Sequence, residues 1–404
     1  MSTTEEKTST GGLGVPEYDY NEFLIEPVLS HANKMDELRE MFPAFWNTSA
    51  PGFWALTRMD NIREALQHPD IFSSRSVIPL EPDPPYKWIP EMLDPPEHTR
   101  WRQLLAPYFT PRRMAEMDQG VRDLAASLVA ELAPRGHCDV LQDFALVYPI
   151  RIFLDLMGLP VEDTDQFLVW EDHILNGTLE TDPDHARALK AMQDVMAYFA
   201  ELIARRRLDP RDDLVSEAAT KWKIDGQDIP DDDLLSMCLL MFMAGLDTVT
   251  AQLSWSLYHL ASHPDDRRRV VDDPDLIPDA VEELLRFYTI VKPSRKVMTD
   301  IDFEGCPMKA GDMVHLPLAA ACRDPKAFPD ADEVILDRKP NSHIAFGAGP
   351  HRCVGSNLAR RELRIAMEEW HKRIPVYRIT EGTEPTARLG SQVTAQELEL
   401  SWDV

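Results

Sequence analysis

Phe346-Gly347-Ala348-Gly349-Pro350-His351-Arg352-Cys353-Val354-Gly355 is the stretch on which the reading of this chain turns. Directly after it, Ala359, Leu363, Ala366, Met367, Trp370 and Ile374 recur at three- and four-residue spacing, which predicts an amphipathic helix over 356–374. Cys353 therefore stands at a predicted helix N-terminus, where unpaired N–H groups and the helix dipole favour a thiolate, the state that ligates metal. Gly349 and Gly355 carry no Cβ, so backbone can pass close to the sulfur and to a flat cofactor lying over it. The same residues also describe a buried cysteine beside two turn glycines, because free cysteine is among the most buried residue types.

The rest of the chain bounds what such a cysteine could serve. Its 404 residues hold 69 Asp+Glu against 42 Lys+Arg, a formal charge of −27. With 44% hydrophobic and 27% charged residues it has the composition of a globular protein with a large core. So acidic a surface repels phosphate backbones, and nucleic acid is not an expected partner. Cys138, Cys238, Cys306, Cys322 and Cys353 are scattered without a C-x-x-C pair, which points to thiols in a reducing compartment. The apolar stretch from Leu234 to Leu246 is shorter than the roughly 18–20 residues that span a bilayer. The polar start MSTTEEKTSTGG lacks the basic and apolar segments of a signal peptide. A cytoplasmic protein with no membrane anchor is expected, one domain over 1–404 with a polar tail at 1–15.

Helical periodicity runs through 113–133, 140–158, 184–207, 231–262, 275–289 and 356–374, with strand patterns only near 52–57, 294–303, 312–316 and 393–400. These predict a mainly α fold with small β-sheets. Residues 79–96 carry seven prolines, which predict a stiff irregular loop of the kind that forms lids and binding loops. A second turn-rich run, 323–352, leads into the cysteine stretch.

That stretch resembles the haem-binding loop of the cytochrome P450 family, F-x-x-G-x-H/R-x-C-x-G. The resemblance implies the cytochrome P450 fold, haem b as cofactor and O2 as co-substrate, with Phe346 and Gly349 beside the haem. Cys353 would be the axial ligand, whose thiolate pushes electron density onto iron and favours O–O cleavage. Glu283-Leu284-Leu285-Arg286 matches the family's E-x-x-R pair, with Arg338 as a third, structural member. Ala244-Gly245-Leu246-Asp247-Thr248 is similar to its A/G-G-x-D/E-T motif, in which Ala244 and Gly245 would leave room for O2 while Asp247 and Thr248 deliver protons. On its own residues this segment also reads as a kink where Thr248 bonds back to a carbonyl. The resemblance further implies that His98, Arg102, Arg295 and His351 hold the haem propionates.

Within the family, Tyr86-Lys87-Trp88-Ile89-Pro90-Glu91-Met92-Leu93-Asp94-Pro95-Pro96-Glu97-His98-Thr99-Arg100-Trp101-Arg102 is similar to the camphor-hydroxylating group. That similarity implies a hydrogen bond from Tyr86 to a substrate oxygen; by its neighbours alone, Tyr86 is a packing aromatic beside Trp88. The implied pocket is lined by Val77, Trp88, Leu240, Met243, Ala244, Val291, Ser391 and Gln392. Val77 is smaller, Met243 larger and Gln392 more polar than the group's pattern, and Lys292-Pro293 replaces a pair that includes a propionate-contacting acid. A compact terpenoid or norisoprenoid bearing oxygen, hydroxylated at an unactivated C–H, is expected in place of camphor. With no flavin domain and no strand-to-helix G-x-G-x-x-G, the chain would take electrons from a separate ferredoxin of the [2Fe-2S] type and its reductase. Arg100, Arg102, Arg112 and Arg113, with Arg352, Arg360, Arg361 and Arg364, would offer it a basic face, or else be solvated charges. A peroxide-driven hydroxylase and a haem-thiolate sensor without turnover are the competing readings.

Overall fold

The computed structural model describes residues 9–10, 15–19, 25–49, 51–175, 186–390 and 392–404. At its centre lies the helix Asp231–Ser262, 32 residues long. Three aspartates in its first turn meet the positive end of the helix dipole, and Pro264, which cannot continue the backbone ladder, follows its His263 cap. Leu234, Met237, Cys238, Phe242, Leu246, Val249 and Leu253 are all buried along it. The helix is long and apolar enough to cross a bilayer, but most of its apolar window is enclosed by protein. It continues past the apolar stretch because its hydroxyls bond to the helix's own carbonyls. Thr250 donates to Leu246 at 3.0 Å, and Ser254 to Thr250 and Ser256 to Gln252 at 2.8 Å.

Val147–Met157, Ala186–Leu208 and Ser356–Arg373 pack around this centre. The most extensive helix pair is Ser356–Arg373 on Pro111–Leu132, the latter started by Pro111 and by Thr110 Oγ1 accepting from Arg113 N–H at 3.3 Å. Leu363, Ala366, Met367, Trp370 and Ile374 of the expected stripe are buried. Each Leu- or Met-sized side chain so buried contributes about 1.5–3 kcal/mol.

The sheets are small. The largest has the order Ser9–Thr10, Pro16–Tyr18, Ala44–Asn47, Phe53–Leu56, Met313–His315, Ser294–Val297, Phe72–Ser73. A three-stranded sheet joins Thr394–Ala395, Thr386–Arg388 and Ile25–Pro27, and another joins Arg378–Ile379, Glu399–Ser401 and His137–Asp139. The first of these carries Arg295 and the second Arg388.

The structure departs from the sequence expectation in detail. Over 140–158 a π-helical turn at Leu141–Ala145 precedes the helix Val147–Met157, and the strand pattern 294–303 divides into Ser294–Val297 and Ile301–Phe303. Ser30–Met41, Met59–Gln67, Thr164–Leu175, Leu214–Thr220 and Pro264–Asp272 are further helices. Some carry no clean apolar stripe: the last buries only Arg267 and Val270, and the first buries His31 and Arg39 among its apolar residues. Most of the 1–15 tail lies outside the described residues.

Candidate active site

Cys353 N–H donates to Phe346 carbonyl at 2.9 Å, closing a loop in which Gly347 and Gly349 take φ of +74° and +67°. A Cβ on Gly349 would stand 2.3 Å from the carbonyl oxygen of Leu66. Glycine at 349 thus lets the loop press on the end of Met59–Gln67. Phe346 lies with its ring 4.4 Å from the Arg360 guanidinium. The helix begins at Ser356, three residues after the cysteine. Although enclosed by protein on nearly all sides, Cys353 keeps accessible surface, the combination expected of a side chain lining an internal hollow. Burial pushes its thiol up, outweighing the Gly355 N–H bonded to the sulfur and the charges of Arg102 and Arg352. The Gly355 N–H at the helix start favours the thiolate, burial opposes it, and a metal that binds the sulfur displaces its proton.

On the central helix, Ala244 is exposed although Leu246, Asp247 and Val249 around it are buried. Thr248 Oγ1 donates to Ala244 carbonyl at 3.0 Å and is itself accessible. At Gly245 a Cβ would meet the Phe153 ring at 3.0 Å, so the glycine admits the helix Val147–Met157. Asp247 is 7% exposed and accepts a hydrogen bond from the Gln392 side-chain amide. Burial raises its pKa to about 6, against the pull of Arg388 and of Gln392. Gln392, expected as a pocket-lining side chain, is instead engaged with this carboxylate, and its backbone bridges to Val291.

The four expected propionate partners come together. The rings of His98 and His351 lie 3.9 Å apart, and an Arg102 Nη donates to Arg352 carbonyl at 2.7 Å. Arg295, 2% exposed, donates to Ser294 carbonyl at 2.7 Å. His98 Nδ1 and both ring nitrogens of His351 are buried without a hydrogen-bond partner among the described residues. Burial, then the charges of Arg102 and Arg295, bring His98 down to about 4; burial, then Arg295, His98 and Arg102, bring His351 down to about 2. Buried imidazoles with open nitrogens beside two arginines make a site short of anions, and the two carboxylates of haem fit it. Glu91, which sequence reasoning passed over, faces the same group, its carboxylate 4.0 Å from His351 Nδ1.

The remaining pocket residues are less convergent. Tyr86 is 36% exposed, stacks on Trp88 at 5.1 Å between centroids, and donates its hydroxyl to Glu81 of its own loop. The expected free phenol is thus occupied within the loop in this structure. Trp88 and Met243 pack against the buried cluster that contains Trp101 and Phe242, Val77, Leu240 and Val291 are half-buried, and Ser391 lies outside the described residues. Ser236 Oγ donates to Lys87 carbonyl, tying the proline loop to the central helix.

Most of the basic face is internally paired. Arg361 and Arg364 meet Asp118 at 2.6 and 3.5 Å, Arg360 meets Glu282, Arg113 meets Glu116 at 2.9 Å, and Arg100 meets Asp225. Asp118 and Glu116 reach the arginines from a neighbouring helical turn or an adjacent helix, which a reading of local charge runs does not register. Arg352 and Arg112 stay exposed.

A family model described as Cytochrome P450 matches residues 31–370. A probable cytochrome P450 127A1 of Sinorhizobium fredii is 34% identical over 366 residues, covering 89% of this chain and 87% of that protein. A methyl-branched lipid omega-hydroxylase of Mycobacterium bovis is 36% identical over 372 residues, covering 88% and 86%. The crystal structure of CYP101J2 superposes with a TM-score of 0.87 at 30% identity, covering 96% of this chain and 97% of the other.

Proposed function

The chain belongs to the cytochrome P450 family, and we propose that it uses haem b, O2 and ferredoxin-derived electrons to hydroxylate a small apolar substrate that bears oxygen, of terpenoid or norisoprenoid class, in the cytoplasm. As a family member it is a haem-thiolate monooxygenase. The observation that carries the haem part of this reading is the convergence of His98, Arg102, Arg295 and His351 around unpaired buried nitrogens, with Cys353 exposed close to His351 in sequence.

When bound, haem supplies oxygen activation and cleavage of the substrate C–H bond. Cys353 would ligate its iron, and the four cationic or donor side chains would hold its propionates. Asp247, poised by burial near neutral pH, can pass a proton to the neighbouring Thr248 hydroxyl, which stands at the accessible face of the helix. The Gln392 amide holds that carboxylate by a hydrogen bond, and Arg388 sets a positive charge near it. Trp88, Met243, Leu240, Val77 and Val291 would give the pocket its apolar wall.

A spin-state titration of the ferric protein with camphor, cineole and ionone tests the substrate class. A saturable low-spin to high-spin shift is expected, and Tyr86→Phe, which frees Glu81, should weaken it about tenfold for ketone ligands if the phenol turns inward to them. No shift with any of the three removes the terpenoid assignment.

Electron supply is read from Arg352 and Arg112, which are exposed together with the ion-paired Arg100 and Arg113. Charge steering by such residues falls with ionic strength. Reduction by an acidic [2Fe-2S] ferredoxin should slow several-fold in Arg352→Glu and in high salt. A rate indifferent to both places the docking face elsewhere.

A further inference from the structure

Glu171 lies on the helix Thr164–Leu175, 3% exposed, and both of its carboxylate oxygens are buried without any hydrogen-bond partner among the described residues. A native protein rarely leaves a carboxyl so placed, because an uncompensated buried charge is far more costly than an unpaired neutral group. We propose that Glu171 is the proton reservoir that reloads Asp247 during turnover, acting on the reaction through Asp247 and not by touching substrate or haem.

The two helices meet where Phe167 sits 5.6 Å from Phe242 between ring centroids. Glu171 lies one turn beyond Phe167 on the same face, and Asp247 lies five residues beyond Phe242. Glu171 there feels the charge of Asp247 more than that of its own neighbour Asp172. Phe167, with Trp170, Tyr198 and Phe199 around it at 5.3, 5.4 and 6.3 Å, walls the base of the helix with aromatic rings.

The groups facing the pair divide their roles. Asp247 has the Gln392 amide and the Arg388 charge, both of which favour its ionised form. Glu171 has neither, and burial followed by the charges of Asp247 and Asp172 holds its pKa well above the ordinary carboxyl range. Of the two, the unpartnered carboxyl holds its proton to higher pH. Once Asp247 has given its proton toward Thr248, the Glu171 carboxylic acid can pass its own to the Asp247 carboxylate. Glu171 then regains a proton from solvent on the side of Asp172, which is exposed and within 3.6 Å of Arg187. Protons balance at each transfer, and no co-reactant is needed.

The inference rests on the proton-delivery reading of Asp247, so the experiment separates the two. Holoenzyme with Glu171→Gln, Glu171→Asp and Asp247→Asn is compared with wild type. In the infrared spectrum at neutral pH, a protonated buried carboxylic acid band is expected, lost in Glu171→Gln and kept, displaced, in Asp247→Asn. Glu171→Gln should slow turnover about fivefold with a larger solvent isotope effect and a flattened pH profile, and Glu171→Asp should restore part of each. Thermal unfolding supplies a readout without turnover. Because folding raises this pKa, the folded state holds a proton that the unfolded chain has lost above about pH 4.5, so native stability falls as pH rises. Glu171→Gln should remove that fall and gain melting temperature relative to wild type at alkaline pH. An effect in Asp247→Asn with none in Glu171→Gln overturns the reservoir alone. Absence of effect in both overturns the proton-delivery reading with it. A change in substrate affinity on Glu171→Gln with an unchanged isotope effect and pH profile would make Glu171 a substrate-recognition group and also overturn the proposal.

Discussion

Glu283→Ala will lose about 3–5 kcal/mol of folding stability, the usual cost of stripping one partner from a buried ion pair, and will accumulate largely unfolded. Glu283 is fully buried and takes two hydrogen bonds from Arg286 at 2.8 Å, one from Arg338 Nε at 3.0 Å, one from Ile335 N–H at 2.8 Å and one from Asn341 at 3.1 Å. Arg286 in turn donates to the carbonyls of Cys322, Ala331 and Glu333. The cluster thereby ties the helix Ile277–Phe287 to the irregular run that leads into the cysteine loop. Removing the carboxylate leaves two guanidinium charges in the interior, a loss comparable to much of the roughly 5–15 kcal/mol that holds a domain folded. Burial acts to raise the Glu283 pKa, but Arg286, the Ile335 N–H and Arg338 bring it below the ordinary value of 4.5. A depressed pKa contributes stability above that value, lost as pH falls below it, so Glu283→Gln should show a shallower acid limb than wild type. Urea unfolding at pH 7 and pH 4 measures both effects. Lys309→Ala, which removes an exposed pair with Asp300, serves as the comparison and should unfold like wild type. An unaltered midpoint in Glu283→Ala would show that the cluster does not carry the loop.

Cys353→Ala will keep its helices and lose its chemistry. The sulfur touches the helix Ser356–Arg373 only at its N-cap, through the Gly355 N–H, while the helix is held by its buried stripe and by Tyr148, which donates to Glu362 carbonyl at 3.1 Å. Far-ultraviolet circular dichroism should therefore match wild type. The reduced carbonyl complex should lack the thiolate-type absorption, and substrate-dependent oxygen uptake should fall by at least three orders of magnitude, because no other side chain among the described residues places a thiolate on this hollow. A retained thiolate-type spectrum would refute Cys353 as the ligand.

Much of this was legible in local patterns. The motif around Cys353, the E-x-x-R pair and the Asp247-Thr248 pair are each short runs that take their meaning from their resemblance to the family's patterns, and the apolar stripes of 113–133, 231–262 and 356–374 correspond to helices at nearly those bounds. Arg338, which the resemblance to the family's pattern offers as the third member of that cluster, meets Glu283 at 3.0 Å.

What local patterns could not carry is any quantity that depends on which side chain meets which across the fold. A Cβ on Gly245 would meet Phe153 and one on Gly349 the end of Met59–Gln67, close approaches that no local pattern registers. Gln392 read as a polar intruder in a pocket and proved to be the partner of Asp247, 145 residues earlier in the chain. The helix dipole argued for a thiolate at Cys353, yet the desolvation that folding imposes is the larger effect on the free thiol. Glu171 and Glu91 carry no motif at all; only burial without a partner, and proximity to other charges, sets them apart. Residue type and spacing settle which helices form and which atoms can ligate, because those follow from backbone geometry and intrinsic chemistry. Charge state, free space and proton routes were decided by tertiary structure, because each is a difference between a group's surroundings in water and its surroundings in the fold.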